Sequence, residues 1–385
     1  LPAAYSLVME QLVTAHYLVP EAYDEHQQAV NLRSILWKTV YAHSSKDITY
    51  YTILPTTACN ARCWYCYEKD IAPITMTEEI ANDVVSFISR SCGGNPIKIR
   101  WFGGEPTVAS QRIDQISQGL RDRGIEFTSS ITTNGYLFDE AMVLRAKNLW
   151  NTQQANFSID GAEETYNRVK AFQGVHDNPY QRMMRNAMLL MEQGINVVFR
   201  MNFDRNTWTE FSKLVHELRE RFCDYNRWMI YPHQINWDIP SSLQPEWDEW
   251  LNQKNVELDD IAKTYGNYVE RLLIPSVRFL ICEAGDESCT TILPDGKLIC
   301  CPERIREDEI KGNIYQGVTN QELVASWQEF ADYETCRDCT MFPYCARLKK
   351  CSSKNRCTAK LMIFSSIREA IISCYNKDKE ENRRD

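Results

Sequence analysis

No apolar run in the 385-residue sequence approaches the roughly 20 residues a helix needs to cross a bilayer, so a helical membrane span is not expected. An N-terminal export signal is missing too, and the first residue is Leu1, so the natural start is expected to lie upstream. Basic residues are in deficit: 43 Lys and Arg against 52 Asp and Glu leave a net charge of −9. That balance argues against a surface built to follow phosphate backbones, and no nucleic-acid partner is expected. No internal repeat is present. What the chain has in quantity is apolar and aromatic side chains, at 44% and 11%, enough for large cores and, at this length, two or three domains.

Cysteine is abundant and unevenly placed. Of fifteen, three lie in residues 59–66 and nine between 282 and 357, while Cys92, Cys223 and Cys374 stand apart. An odd total in a large chain without an export signal argues against a disulfide framework, and clustered C-x2-C spacings read as metal ligands. Cys92 and Cys223 fall on helical patterns and read as small buried apolar residues. The stretch CNARCWYC places Cys59, Cys63 and Cys66 directly after the strand-like TYYTILPT, with no fourth cysteine nearby. Zinc and ordinary four-iron clusters want four protein ligands. Three ligands and a vacancy describe an open, reactive metal site.

From residue 49 short strand patterns alternate with amphipathic helices. The strands are TYYTILPT (49–56), IKIRWF (97–102), FTSSITT (127–133), ANFSID (155–160), NVVFRMNF (196–203) and RWMIYP (227–232). Helical stretches between them include 77–90, 178–194 and 208–222. Such alternation predicts an α/β fold with a parallel sheet, either an incomplete (β/α) barrel or an open doubly wound sheet. Residues 1–48 form a small helical segment, 49–235 the α/β unit and 236–281 a Trp-rich helical connector. Residues 282–360 are loop-rich and cysteine-dense, and 361–385 are a helix and charged tail.

Parallel α/β proteins build their sites at the C-terminal ends of strands. CNARCWYC follows the first strand, Gly103-Gly104-Glu105-Pro106 the second, Thr133-Asn134-Gly135 the third and Ser158-Ile159-Asp160-Gly161 the fourth; Arg200 and Asn202 lie late in the fifth. Paired glycines admit a close ligand, and Glu105 offers a carboxylate to a cation. Asn134, Ser158 and Asn202 supply neutral hydrogen-bonding groups, and Arg168 and Arg200 can pair with a carboxylate. The group suits a zwitterionic amino-acid moiety chelating an iron. Asp160 reads as a turn or cap residue.

The loop CNARCWYC resembles the C-x3-C-x-aromatic-C loop of the radical S-adenosylmethionine (radical SAM) enzymes, and GGEP resembles their second signature. The resemblance covers residues 49 to about 235. It implies a partial (β/α)6 TIM-like barrel in which Cys59, Cys63 and Cys66 hold a [4Fe–4S] cluster whose fourth iron binds SAM. It further implies that Glu105 meets the SAM ammonium, that Ser158 and Arg168 meet its carboxylate, and that Asn134, Asn202 and Arg200 line the cofactor. The backbone of Tyr65 would lie near the adenine. The segment from Cys282 resembles the SPASM domain, which carries two auxiliary [4Fe–4S] clusters, three clusters in all. By motif Cys282, Cys289, Cys301 and Cys351 fall to the first, and Cys336, Cys339, Cys345 and Cys357 to the second. Cys300 is set aside as the neighbour of Cys301, and Cys374 is an alternative last ligand. TTILPDGKLICC reads as a hairpin turning at Asp295-Gly296.

SPASM enzymes mostly act on ribosomally made peptides or on proteins, and YLVPEAYDE, CYE and FGGEPT resemble segments of peptide maturases. The resemblance implies a precursor-peptide substrate, a thioether or carbon–carbon crosslink, and a reductant such as ferredoxin or flavodoxin. The setting it implies is an oxygen-poor cytoplasm. Oxidation of a single side chain, as in formylglycine formation, or epimerisation is the alternative. A metal-stapled binding protein is the non-enzymatic one. Only 58 residues precede Cys59, so residues 1–48 are expected to be a shortened peptide-recognition region.

Overall fold

A computed structural model describes residues 3–15, 18–43, 46–235 and 282–330, with short stretches at 250, 253–254, 257–258, 261, 336–337 and 348–351. Most of the expected connector and the whole of the expected C-terminal helix and tail lie outside the described residues. Two helices come first, α1 (Ala3–Thr14) and α2 (Glu25–His43). Then β1 (Tyr50–Thr56), α3 (Glu78–Ser91), β2 (Ile97–Gly103), α4 (Ser110–Asp122), β3 (Phe127–Thr133), α5 (Glu140–Asn148) and β4 (Thr152–Ile159) follow. After α6 (Glu163–Lys170), α7 (Pro179–Glu192), β5 (Asn196–Phe203), α8 (Glu210–Arg221) and β6 (Trp228–Gln234) the α/β unit ends.

Each helix forms for local reasons. In α3, Thr77 caps the first turn by accepting the Ile80 N–H, Glu78 and Glu79 sit at the positive end of the helix dipole, and Arg90 sits at the negative end. Val84, Val85 and Ile88 then repeat at helical spacing and are buried against the sheet. Strands β1 to β6 pair in parallel and in sequence order, with a helical crossover between neighbours. The face under the helices is apolar, with Tyr51, Ile53, Ile99, Trp101, Ile131, Phe157, Phe199 and Phe203 in one core. The expected α/β fold with a partial TIM-like barrel is what the chain forms.

The cysteine-dense segment does not stand apart from this sheet. Strand β7 (Cys289–Ile292) pairs in parallel with β1, Tyr50 opposite Cys289 and Ile53 opposite Ile292. Strands β8 (Lys297–Ile299), β9 (Ile310–Asn313) and β10 (Gly317–Val318) continue it antiparallel, giving the order β10-β9-β8-β7-β1-β2-β3-β4-β5-β6. The β7–β8 hairpin turns at Pro294-Asp295-Gly296, as its sequence predicts, with Gly296 at φ 80°. Helix α9 (Gln321–Trp327) buries Trp327 beneath the hairpin. Cys92 is buried, as expected, but Cys223 follows the end of α8 and is exposed, because the helix stops at Arg221 before its apolar face would cover that position. Among the described residues no helix is long and apolar enough to cross a membrane.

Candidate functional site

The cysteine loop leaves β1 and is held by the turn after β2. A Cβ on Gly103, at φ 111°, would lie 2.3 Å from the Thr56 carbonyl oxygen; one on Gly104 would lie 2.5 Å from those of Thr57 and Ala58. Both contacts are to backbone, which cannot yield cheaply. The Gly104 N–H donates to Thr56 O at 3.2 Å and the Glu105 N–H to Ala58 O at 2.9 Å. The paired glycines therefore admit the loop's own main chain, where the sequence suggested a ligand.

Glu105 is buried and engaged with the scaffold. Its Oε1 accepts from the Thr107 N–H (3.1 Å), the Thr107 hydroxyl (2.5 Å) and the Thr133 hydroxyl (2.8 Å). Its Oε2 accepts from the Asn134 N–H at 2.7 Å. Burial raises the carboxyl above its ordinary range while these donors pull it down. Glu105 thus joins the ends of β2 and β3. Asn134, carried on the second of these, donates from Nδ2 to Asn60 Oδ1 at 2.8 Å and lies 4.0 Å from Cys59 Sγ, which also takes the Ala61 N–H at 3.4 Å.

A second network crosses from the loop to β4 and β5. The Tyr65 hydroxyl donates to Asp160 Oδ1 at 2.5 Å, and Asn202 Nδ2 donates to Tyr65 at 2.9 Å and to Asp160 Oδ1 at 3.3 Å. Lys170 Nζ lies 3.1 Å from Asp160 Oδ2, 2.8 Å from Ser158 Oγ and 3.4 Å from the Tyr65 oxygen. Lys170 and Asp160 are both almost wholly inside, at 3% and 1% side-chain exposure. Burial pulls the Lys170 pKa down, but Asp160, Cys63 and Cys59 outweigh it and the net shift is upward. The Lys170 carbonyl also accepts the Arg62 N–H at 2.8 Å, so this residue grips the loop twice.

The structure thus brings together Cys59, Cys63, Cys66, Tyr65, Glu105, Asn134, Ser158 and Asn202, with Arg200 joining through Nε to Asn202 Oδ1 at 3.1 Å. Arg168 does not contact Ser158 and reaches Thr165 Oγ1 at 3.4 Å, but it lines one cavity with Asp160 and Asn202. Lys170, two residues on, takes the place by Ser158. Asp160 is a buried ion-pair partner, not a turn cap. Both were missed because a lysine in a helical pattern reads as surface and SIDG reads as a turn.

Burial pushes the Cys59 thiol up to about 12, with the Glu105 carboxylate adding to it. Burial raises Cys63 and Cys66 in the same direction, and Lys170 opposes the rise at both. Thiols so placed ionise only with a cation to meet them. Two buried polar atoms beside the loop have no hydrogen-bond partner among the described residues, Asn60 Nδ2 and Asp160 Oδ2, the latter meeting Lys170 as an ion pair outside hydrogen-bond alignment. Asp160 also lines a cavity of about 340 Å³ with Trp64, Arg168, Val169, Asn202, Asp204 and Ile235, within the size range of cofactor sites. Three unbridged thiols, an orphan donor, an orphan acceptor and this cavity fit a cationic cluster with an amino-acid-bearing nucleoside beside it. Among the described residues no three His, Cys, Asp or Glu side chains converge closely enough for a single metal ion.

In the C-terminal segment Cys300 packs against Ala284, Leu323, Trp327 and Leu348. Cys301 lies at the edge of that cluster, where Cys282 contributes to its raised pKa of about 11 after burial. Cys289, at the start of β7, is buried and pushed up to about 12 by burial and Asp286. Lys311 donates to the Cys289 carbonyl at 3.2 Å. Cys336 is half-buried and Cys351 ends a short 3-10 turn, while Cys339, Cys345, Cys357 and Cys374 lie outside the described residues.

Residues 53–218 match the Radical SAM superfamily. The chain is 25% identical over 298 residues to human "Molybdenum cofactor biosynthesis protein 1", covering 72% of this chain and 44% of that protein. It is 37% identical over 100 residues to the GTP 3',8-cyclase of Chlorobaculum tepidum, covering 25% and 29%. The chain therefore spans less than half the length of these curated relatives. In fold it is similar to anSMEcpe with bound AdoMet, at a TM-score of 0.66 and 17% identity over 85% of this chain and 96% of that one. It is also similar to Streptococcus suis SuiB bound to the precursor peptide SuiA, at 0.56 and 14% over 89% and 83%. A third structure, anSMEcpe with bound AdoMet and the Cp18Cys peptide, gives 0.64 and 18% over 86% and 99%. At such identities the likeness is one of fold.

Proposed function

Taking residues 53–218 as a radical SAM domain, we propose that this chain is a peptide-modifying radical SAM enzyme. The observation that carries the reading is the buried contact set around the cysteine loop, in which Glu105, Asn134, Asp160 and Lys170 all fix a loop of three unbridged thiols. Such positioning is needed for open-site chemistry and superfluous in a zinc staple. Cys59, Cys63 and Cys66 would hold a [4Fe–4S] cluster, which when bound supplies the one-electron reduction that SAM cleavage to methionine and a 5′-deoxyadenosyl radical requires.

The chain's own residues then have separable tasks. The Ser158 hydroxyl offers a hydrogen bond, and Arg168 in the cavity wall a charge, to the SAM carboxylate, while Lys170, its three donors taken by Asp160, Ser158 and Tyr65, holds Ser158 in place at 2.8 Å. Asp160 Oδ2, ion-paired with Lys170 at 3.1 Å but outside hydrogen-bond alignment, can still accept from a donor in the adjoining cavity. Trp64 and Ile235 supply that cavity with apolar walls. Glu105 positions both turns, and the SAM ammonium falls to the carbonyl groups and carboxylate of that turn. Cys282, Cys289, Cys301 and Cys351, and Cys336, Cys339, Cys345 and Cys357, would hold two further clusters, able to accept an electron as product forms.

The peptide substrate draws support from the fold shared with anSMEcpe and SuiB, both solved with peptides bound. A thioether or carbon–carbon crosslink in a ribosomal precursor peptide is the finer reading, with oxidation of a single side chain the variant. Sequence likeness to GTP 3',8-cyclase favours a second reading, cyclisation of a nucleotide. The test is 5′-deoxyadenosine formed from SAM and dithionite by anaerobically reconstituted protein, beside the Cys59→Ala, Cys63→Ala, Cys66→Ala variant. Turnover in the parent alone is expected; equal turnover in both sinks the assignment of the loop. Consumption of GTP, with peptides inert, would favour the nucleotide reading.

A further inference from the structure

The concave side of the sheet, opposite the helices, is not a packed core. Register places Arg100, Ser130, Gln154 and Asn196 in one row across β2 to β5, and Ser158, Arg200 and Tyr231 in another nearer the cysteine loop. Barrel interiors that serve only as packing fill with branched apolar side chains. Here both rows are polar, and most of their members are partly exposed. Such a face is a binding cleft.

Its cations differ in what they meet. Arg100 is paired with Glu283 at 2.6 Å and Lys170 with Asp160 at 3.1 Å. Arg200, half-buried on β5, donates Nε to Asn202, and among the described residues no other side-chain partner and no carboxylate within ion-pair distance stands by it. Its register neighbours Ser158 and Tyr231 are neutral. His233, opposite Asn202, is neutral as well, since burial and the Arg200 charge lower its pKa to about 4. One N–H of Arg200 is used, and the other donors of its planar fork suit a carboxylate held by two parallel bonds.

We infer that Arg200 binds a carboxylate of the substrate peptide on the concave face, with Tyr231 and His233 beside it as neutral hydrogen-bonding groups. The inference rests on the peptide reading above, in which Ser158 and Arg168 serve the SAM carboxylate and leave Arg200 to the substrate. The carboxylate comes from an Asp or Glu side chain or from the chain end.

The experiment gives reconstituted holoenzyme, SAM and dithionite a library of short peptides with a central cysteine and randomised flanks. One arm has free and the other amidated C-termini, and modified peptides are identified by mass spectrometry. Peptides modified by the parent should be enriched about tenfold in Asp or Glu at one distance from the reacting residue. In Arg200→Gln that enrichment disappears, and in Arg200→Glu it moves to Lys and Arg. Enrichment tied to a free C-terminus assigns the carboxylate to the chain end. Modified peptides without acidic preference, an unchanged preference in Arg200→Gln, or a defect confined to the KM of SAM overturn the assignment while the peptide reading stands. No modified peptide despite 5′-deoxyadenosine formation, or consumption of GTP instead, overturns both.

Discussion

Placing an ammonium in a protein interior costs several kcal/mol unless a counter-charge and hydrogen bonds meet it. Lys170 has Asp160, Ser158 and Tyr65 around it, so removing its charge leaves Asp160 buried and unpaired. Lys170→Met should destabilise by about 3–5 kcal/mol in urea denaturation, and adding Asp160→Asn should recover most of that loss. An unchanged midpoint in the single variant would mean the pair contributes nothing. Gly104→Ala tests the loop's seat, since its Cβ meets two carbonyl oxygens at 2.5 Å. It should cost about 1–3 kcal/mol and lower iron loading at the first cluster. His233 tests burial beside Arg200, whose charge adds to the desolvation. Its folded pKa of about 4 lies below the ordinary 6.5, so the unfolded chain binds the extra proton between those values. Stability is therefore complete above about 6.5 and falls as pH drops toward about 4, by on the order of 3 kcal/mol; His233→Gln should flatten that slope. The cysteines, Glu105 and Asn134 could be read from spacing because each sits at a strand end. Lys170 and Asp160 could not, because what makes them matter is burial against a loop many residues away.

Alternation of strand and helix patterns located all six strands of the α/β unit, four of them to within one residue at each end. The exceptions have physical causes. Strand β4 begins at Thr152, three residues before the apolar pattern does, because Thr152 and Gln154 pair with Ser129 and Ser130 of β3 while the polar Gln153 is passed over at a bulge. Strand β6 runs two residues past Pro232, which a strand of this kind tolerates where its missing N–H faces away from the paired neighbour. The pairing of β7 with β1 left no local sign, since it joins segments far apart in the chain, and it changes what the cysteine-dense segment is. That segment lies against the barrel through backbone hydrogen bonds and through Arg100, which bridges to Glu283 and lies over Tyr50 and Phe102. Both partners of that ion pair are partly exposed, so Arg100→Ala should cost only about 1 kcal/mol by thermal denaturation. A loss of several kcal/mol would show that the side-chain bridge, more than the strand pairing, holds the segment in place.

Fifteen cysteines on one chain bound the metal inventory, and two neighbouring regions of the sheet divide most of them. The loop after β1 carries the three cysteines proposed for one open cluster, and the segment built on β7 and β8 supplies ligands proposed for two closed ones. Parallel pairing of β7 with β1 puts the two regions side by side, and Tyr67 of the loop has Glu303 of the second region among its electrostatic neighbours. An electron leaving a substrate radical held on the concave face therefore has metal sites proposed along the sheet that carries that face. If all three sites are [4Fe–4S] clusters, anaerobically reconstituted protein should bind about 12 irons per chain. The Cys59→Ala, Cys63→Ala, Cys66→Ala variant should keep about 8, stay coloured, and lose only the signal that SAM perturbs in electron paramagnetic resonance. Cys301→Ala should instead keep the SAM-responsive signal and lose about 4 irons, whereas Cys300→Ala, which empties a place in an apolar cluster, should cost stability without changing the iron count. Zinc in place of iron at the second region, with the same 5′-deoxyadenosine yield, would leave the first cluster intact but remove the auxiliary clusters from the proposal.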